Sequence, residues 1–426
     1  MLFVTRRLED FAEMTFLMKL LELRMKSVRL CILSLAVLLA CLTSADGHAG
    51  QPLKVFILSG QSNMQGHAHV RTIDAMRLDP ETAEILSLMR EDDGSDVVCD
   101  DVWISSIGSS EDVKSGRLTV GFGAEPRGPK IGPEFTFGIF MQKQLDEPIL
   151  IIKTAWGGKS LHTDFRSPSA GPYRFNPSQL EAMIKQGKDL VKIKTERAEA
   201  TGRYYRLMME HVQSVLGDIK QVYPDYDADA GYELAGFVWF QGWNDMVDRG
   251  VYPKRDQPGG YDQYSEVLKD FIRDVRKDLK APELPFVIGV MGAGGPTDQY
   301  SAGQMRYKPI HDNFRNAMAA PAEMSEFEGN VAAVRTEDFW DMRLMKLRAR
   351  DSVIREKVKT AKEQQKLSRD EERSMLEKLR SSEFNADEIE LLDTSVSNAE
   401  FHYLGSARII APIGKAFAEA MSDLME

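Results

Sequence analysis

The chain has 426 residues, of which 43% are hydrophobic and 28% charged, and its net charge is −11. That length holds one large domain or two, and the composition is ordinary for a globular protein. The acidic balance, with no long basic run, excludes nucleic acid and anionic membrane surfaces as expected partners.

Residues 25–45 read MKSVRLCILSLAVLLACLTSA, with Lys26 and Arg29 ahead of an apolar run from Leu30 to Leu42 and small residues after it. This is the pattern of a secretory signal peptide, with Met25 as its start and cleavage expected near Ala45 or Ala49. The run is too short for a stable membrane span. Leu38 to Cys41 also resembles a lipoprotein cleavage box, which makes Cys41 a candidate lipid anchor. Residues 1–24 then read as an upstream extension and 25–49 as the leader. Residues 50–426 read as one domain, secreted or periplasmic. Loss of Cys31 and Cys41 leaves Cys99 alone, so no internal disulfide is expected.

Val55–Leu58 is a short apolar run that reads as a strand buried on both faces. Ser59, Gly60, Gln61, Ser62, Asn63 and Met64 follow. A serine at the carboxyl end of a parallel strand stands where open α/β sheets place their sites. Taken alone, the same serine would serve as a helix N-cap. Position 64 is Met, so this is not the G-x-S-x-G elbow.

Val102–Ile104 is a second candidate strand, and Gly132–Phe135 should open a helix with Pro133 in its first turn. Ile149–Lys153 is another buried strand, ending in Thr154-Ala155-Trp156-Gly157-Gly158. A glycine pair at a strand end indicates a close backbone approach. Residues 179–216 are helical in pattern and place His211 on a packed face. Ala235–Phe240 is a strand running into Gln241-Gly242-Trp243-Asn244-Asp245. Helix 261–279, strand 286–290, a helix from 314 and strand 331–334 continue the alternation. That order implies a parallel sheet with helices on both faces. Residues 342–390 are dense in charge and read as one or two solvated helices, an insertion into the domain. Glu400-Phe401-His402-Tyr403-Leu404-Gly405 leads into a final amphipathic helix.

Gly60–Met64, GQSNM, resembles the first block of the SGNH (GDSL-like) hydrolases, in the branch of the sialate O-acetylesterases and acetylxylan esterases. Gly157/Gly158, the Gln241–Asp245 stretch and His402 resemble the later blocks in their usual order. The resemblance implies a three-layer α/β/α sandwich with a parallel, flavodoxin-like sheet of about five strands. It implies Ser62 as nucleophile and His402 as base. It implies an oxyanion hole from the Ser62 N–H, a glycine N–H of Gly157 or Gly158, and the Gln241 amide. Trp243 stands where Glu is common, and Ala399 where the family has Asp three residues before the histidine. Glu400, Asp393, Asp338 and Asp341 are the candidate orienting acids, with a Ser–His dyad as the alternative. Asp245 reads as a loop organiser and, with Arg166, as a candidate substrate contact. The implied substrate is an O-acetylated carbohydrate, with no cofactor and no metal. The alternatives are an esterase for lipid or peptidoglycan esters and a non-catalytic carbohydrate-binding protein on the same fold.

Overall fold

The computed structural model describes residues 50–426. The expected leader and the Cys41 anchor therefore lie outside the described residues. From the amino end come Leu53–Gly60 (β1), Ser62–Gln65 (α1), Ala68–His69 (β2), Pro80–Leu86 (α2), Val102–Ile107 (β3), Val113–Arg117 (β4) and Lys130–Ile131 (β5). Glu134–Leu145 (α3), Ile149–Ala155 (β6), Pro177–Lys185 (α4), Leu190–Ala200 (α5), Arg203–Gly217 (α6) and Tyr232–Phe240 (β7) follow. The chain then forms Trp243–Val247 (α7), Asp262–Asp278 (α8), Phe286–Val290 (β8), Lys308–Ala319 (α9) and Val331–Arg335 (β9). It ends in Met342–Gln365 (α10), Arg369–Glu383 (α11), Ala386–Thr394 (α12) and Ala407–Met425 (α13).

The main sheet runs β4-β3-β6-β1-β7-β8-β9, with every pair parallel except β3–β4. The doubly wound α/β class is as expected, with six parallel strands rather than about five. Strand β6 enters between β3 and β1, so the parallel strands do not follow the flavodoxin order of 2-1-3-4-5. β4 is the missed strand. Four of its five residues are exposed, so it carries no buried-strand signature. The chain leaves β1 toward the β3 edge and leaves β7 toward the β8 edge. The carboxyl ends of β1 and β7 therefore flank the switch point, where open sheets form their crevice.

Helices cover both faces. On one, α3 and α13 pack together, with Phe137 edge-on to Phe56 at 5.5 Å and Phe417 on Phe240 at 5.3 Å. On the other, Phe271 of α8 meets Trp239 at 4.4 Å and Phe237 at 6.0 Å. The alternation along β7 sends Phe237 and Trp239 to one layer and Phe240 to the other, as strand geometry requires. The charged segment forms three helices rather than one or two. Leu344, Leu347, Ile354, Val358 and Leu391 bury its inner face, and Arg380 pairs with the buried Asp351 at 3.0 Å.

Candidate active site

The serine corner is built from the end of β1. A Cβ on Gly60 would stand 2.2 Å from the Phe240 carbonyl oxygen, so only glycine lets β1 and β7 come this close. Gln61 is the N-cap of α1 and Ser62 its first residue. The Ser62 hydroxyl is therefore not spent on a cap. Gln61 Oε1 accepts from the Gly242 N–H (3.0 Å), the Asn244 N–H (3.4 Å) and Gln241 Nε2 (3.3 Å). This turns Gln61 Nε2 toward Ser62 Oγ, to which it donates at 3.3 Å.

Behind that amide lies a buried network. Gln241 Nε2 donates to Asp245 Oδ2 at 2.7 Å and to the Lys159 carbonyl at 3.1 Å, and Tyr264 donates to Gln241 Oε1 at 3.1 Å. Its hydrogens are taken, so the side-chain amide at the serine is that of Gln61. Asp245 is fully buried and accepts from the backbone N–H groups of Leu161 and His162 and from Tyr252. Arg166 donates to the carbonyls of Gly171 and Ala170 at 2.7 and 2.6 Å. Both candidate substrate contacts are thus engaged in shaping the 157–171 loop. Of the two glycines, Gly157 flanks the nucleophile. A Cβ on it would lie 3.9 Å from Ser62 Cβ, whereas one on Gly158 would meet open space. The Gly157 N–H donates to Ser109 Oγ at 2.9 Å.

Two buried charges hold this corner from below. Lys153, at the end of β6, donates to the carbonyls of Gln65 (2.9 Å) and Phe122 (3.0 Å) and to Glu134 Oε2 (2.7 Å). Glu134 Oε1 accepts from the Gly132 N–H. Burial pulls the Lys153 ammonium below its usual range, and Glu134 opposes that pull.

The histidine arrives on a tight turn that packs against α1. Tyr403, Leu404 and Gly405 all have positive φ, 53°, 59° and 55°. The buried Tyr403 ring holds the turn, its hydroxyl accepting from the Gly292 N–H at 2.8 Å and bonded to Thr336 Oγ1 at 2.7 Å. His402 Nδ1 donates to Asn398 Oδ1 at 3.0 Å. The His402 ring lies flat on His67, with centroids 3.8 Å apart and planes 4° from parallel. Burial pushes the His402 pKa down to about 4. Burial, then His402, Lys130 and Lys153, push His67 down to about 3.

Among the described residues no hydrogen bond joins Ser62 to His402, and none of the four candidate acids bonds the ring. Asp393 pairs with Arg380 at 2.9 Å. Asp341 accepts from Arg408 at 2.7 Å and from the Leu344 N–H. Asp338 borders a cavity of about 770 Å³ with Asp341 and Arg408, which contains neither Ser62 nor His402. Glu400 faces another cleft, of about 410 Å³, whose walls include Trp243, Arg249, Tyr300, Gln304 and Tyr307. The group on His402 is an amide four residues upstream. Sequence reasoning missed Asn398, His67, Gln61 and the Lys153–Glu134 pair. The last had a signal, a lysine inside an otherwise apolar strand.

A doubly wound α/β fold with Ser62, Gly157 and Gln241 at the carboxyl ends of its central strands places these groups where open α/β sheets form their sites. Similarity to known proteins narrows this. The chain belongs to the carbohydrate esterase, sialic acid-specific acetylesterase family, whose model matches residues 52–338. It is thus a carbohydrate O-acetylesterase. The His402 turn and helices α10–α13 lie beyond the matched residues. Among solved structures it is similar to a protein from Arabidopsis thaliana, with 16% identity and TM-score 0.35 over 67% of this chain and 86% of that one. It is also similar to a carbohydrate acetylesterase from Xanthomonas citri, with 13% identity and TM-score 0.34 over 66% of this chain and 49% of that one. The chain spans about half the length of the Xanthomonas protein. No curated protein matches the chain.

Proposed function

We propose that the protein is a secreted serine esterase that removes O-acetyl groups from carbohydrates through an acetyl-enzyme on Ser62. The observation that carries this reading is the Ser62 corner. The serine heads a short helix at the carboxyl end of the central strand, packed against the turn that bears His402. With Nδ1 of His402 occupied, Nε2 is the nitrogen left for the serine proton. Catalytic hydrogen bonds commonly tighten only when substrate is bound.

Ser62 Oγ attacks the acetyl carbonyl and passes its proton to His402. Collapse of the tetrahedral species breaks the ester bond, and His402 returns the proton to the departing sugar hydroxyl. Water then attacks the acetyl-enzyme, giving its proton to His402, and acetate leaves as Ser62 recovers its hydrogen. The Ser62 and Gly157 N–H groups are the oxyanion donors, and one such donor is worth about 3 kcal/mol of barrier. Gln241 and Asp245 act from behind through Gln61. We assign the sugar to the cleft beside Glu400, which adjoins the His402 turn although neither Ser62 nor His402 lines it. Its aromatic walls, Trp243, Tyr300 and Tyr307, offer faces on which a sugar ring can stack, and Arg249, Gln304 and Glu400 can meet its hydroxyls. Secretion follows from the leader pattern of residues 25–49.

The test is Ser62→Ala assayed on p-nitrophenyl acetate and on acetylated oligosaccharides. The expected loss in kcat is at least about a thousandfold with an unchanged melting curve. Retention of a tenth of wild-type turnover refutes the nucleophile. The leader is tested by the amino terminus of exported protein, expected after Ala45 or Ala49.

A further inference from the structure

Asn398 holds two imidazoles at once. Its Oδ1 accepts from His402 Nδ1 at 3.0 Å, and its Nδ2 donates to His67 Nδ1 at 3.4 Å. A side-chain amide has one accepting end and one donating end. The two rings must therefore differ. His402 carries its hydrogen on Nδ1, while His67 presents a bare Nδ1 and carries its hydrogen on Nε2. The rings lie face to face at 3.8 Å.

We propose that Asn398 is the positioning residue of the base, so that this chain works with a Ser62–His402–Asn398 set in which the His67 ring backs the imidazole where a carboxylate is usual. The proposal rests on the Ser62–His402 reading above.

The surroundings of the ring support it. Ala399 occupies the position from which the family's aspartate would reach His402. The Ser397 and Asn398 N–H groups both donate to the Leu404 carbonyl, which brings residue 398 over the ring in its place. Phe401, edge-on to His402 at 4.5 Å, is uncharged, and Glu400 lines the neighbouring cleft. The other charges acting on His67 are Lys130 and Lys153, the latter paired with Glu134. Among the described residues no carboxylate bonds the imidazole, so its orientation comes from the Asn398 dipole. When His402 takes the serine proton, the resulting cation lies against the electron-rich face of a neutral ring. Two cations in that stack would repel, which keeps His67 neutral during turnover.

The tautomers can be read without turnover. In the full chain with ¹⁵N-labelled histidine at pH 7, His402 should be Nδ1-protonated and His67 Nε2-protonated. An Nε2-protonated His402 would overturn the proposal. This measurement needs no substrate and no variant at position 398, so it is independent of whether the esterase reading survives Ser62→Ala. The kinetic arm uses two substitutions. Asn398→Ala should lower kcat about a hundredfold or more with little change in KM, because the ring loses its orientation. Asn398→Asp should move the acid limb of the kcat/KM profile upward by about one pH unit or more, because a carboxylate favours the imidazolium. Asn398→Ala with more than half of wild-type kcat, or Asn398→Asp with an unmoved acid limb, would equally overturn it.

Discussion

The Ser62 corner and the His402 turn pack against each other, yet they are held by opposite means. The serine side is fastened by charge. Lys153 and Glu134, both essentially inaccessible to solvent, tie the end of α1 to β6 and to the start of α3. The histidine side, residues 396–406, takes part in no ion pair among the described residues. An amide, a ring stack, a buried tyrosine and a glycine set its shape. Removing one partner of a buried ion pair strands a charge, whereas removing a neutral contact leaves a gap or a loosened turn. Damage to the Lys153–Glu134 support of the serine side should therefore appear first as lost stability, and damage to the neutral contacts that hold the histidine as lost turnover.

The largest test of that contrast is Lys153→Met. It leaves Glu134 buried without a partner and should cost about 3–5 kcal/mol of stability. A thermal melt checks it. Adding Glu134→Gln should recover part of the loss, because the stranded charge is gone. If Lys153→Met alone melts like wild type, the corner is not held by the pair.

The two sides also differed in how far the sequence exposed them. Val55–Leu58 is legible because a strand buried on both faces must be continuously apolar, and Ser62 follows from where that strand ends. His402 is legible only through its place in an ordered set of motifs. Asn398 is not legible at all. Its reach to the ring depends on three successive left-handed residues, Tyr403, Leu404 and Gly405, and nothing in the spelling of Tyr403 or Leu404 announces that conformation. The missed edge strand β4 and the helix count over 342–390, expected as one or two, share a simpler cause. Exposed residues carry little periodic signal, since no core selects them.

The next test strikes the histidine side. Gly405 has φ +55°, and a Cβ there would lie 2.5 Å from Ser397 Oγ and 2.7 Å from both Asn398 Cβ and the His67 carbonyl oxygen. Gly405→Ala must push Asn398 and His67 off the ring. A shift of about 1 Å in a catalytic group can cost about a hundredfold in rate. The expected outcome is a fall in kcat of that order with about 1–2 kcal/mol of lost stability, the usual cost of a non-glycine residue in this region. A kcat near wild type would show that the turn does not position the base.

Acid acts on the histidines where the two sides meet. His67 is held near 3, and His402 and His311 near 4, chiefly by burial, against an ordinary value of 6.5. Between about 6.5 and 4 the unfolded chain binds protons that the folded chain refuses. Stability therefore falls as pH falls through that window. His67→Phe keeps a ring against His402 but removes one titrating group. The dependence of Tm on pH between 6.5 and 4 should then be shallower than in the wild type. An identical dependence would mean that His67 is not held neutral in the native state.

The smallest effect concerns the oxyanion position. Ser109 Oγ now takes the Gly157 N–H at 2.9 Å and donates to Gln65 Oε1 at 3.1 Å. If Gly157 holds the developing oxyanion, that bond must break before the acetyl oxygen can take its place. The serine then competes with the substrate at the donor and contributes nothing to the transition state. Ser109→Ala frees the N–H at the cost of the part-buried hydrogen bond to Gln65 Oε1. The expected gain in kcat/KM is about threefold, the worth of a modest net hydrogen bond, with about 1 kcal/mol of lost stability from the unpaired Gln65 Oε1. The sign carries the information. A rise identifies Gly157 as an oxyanion donor masked by the loop after β3. A fall would instead mean that the Ser109 hydroxyl itself faces the oxyanion, with the Gly157 N–H serving to aim it.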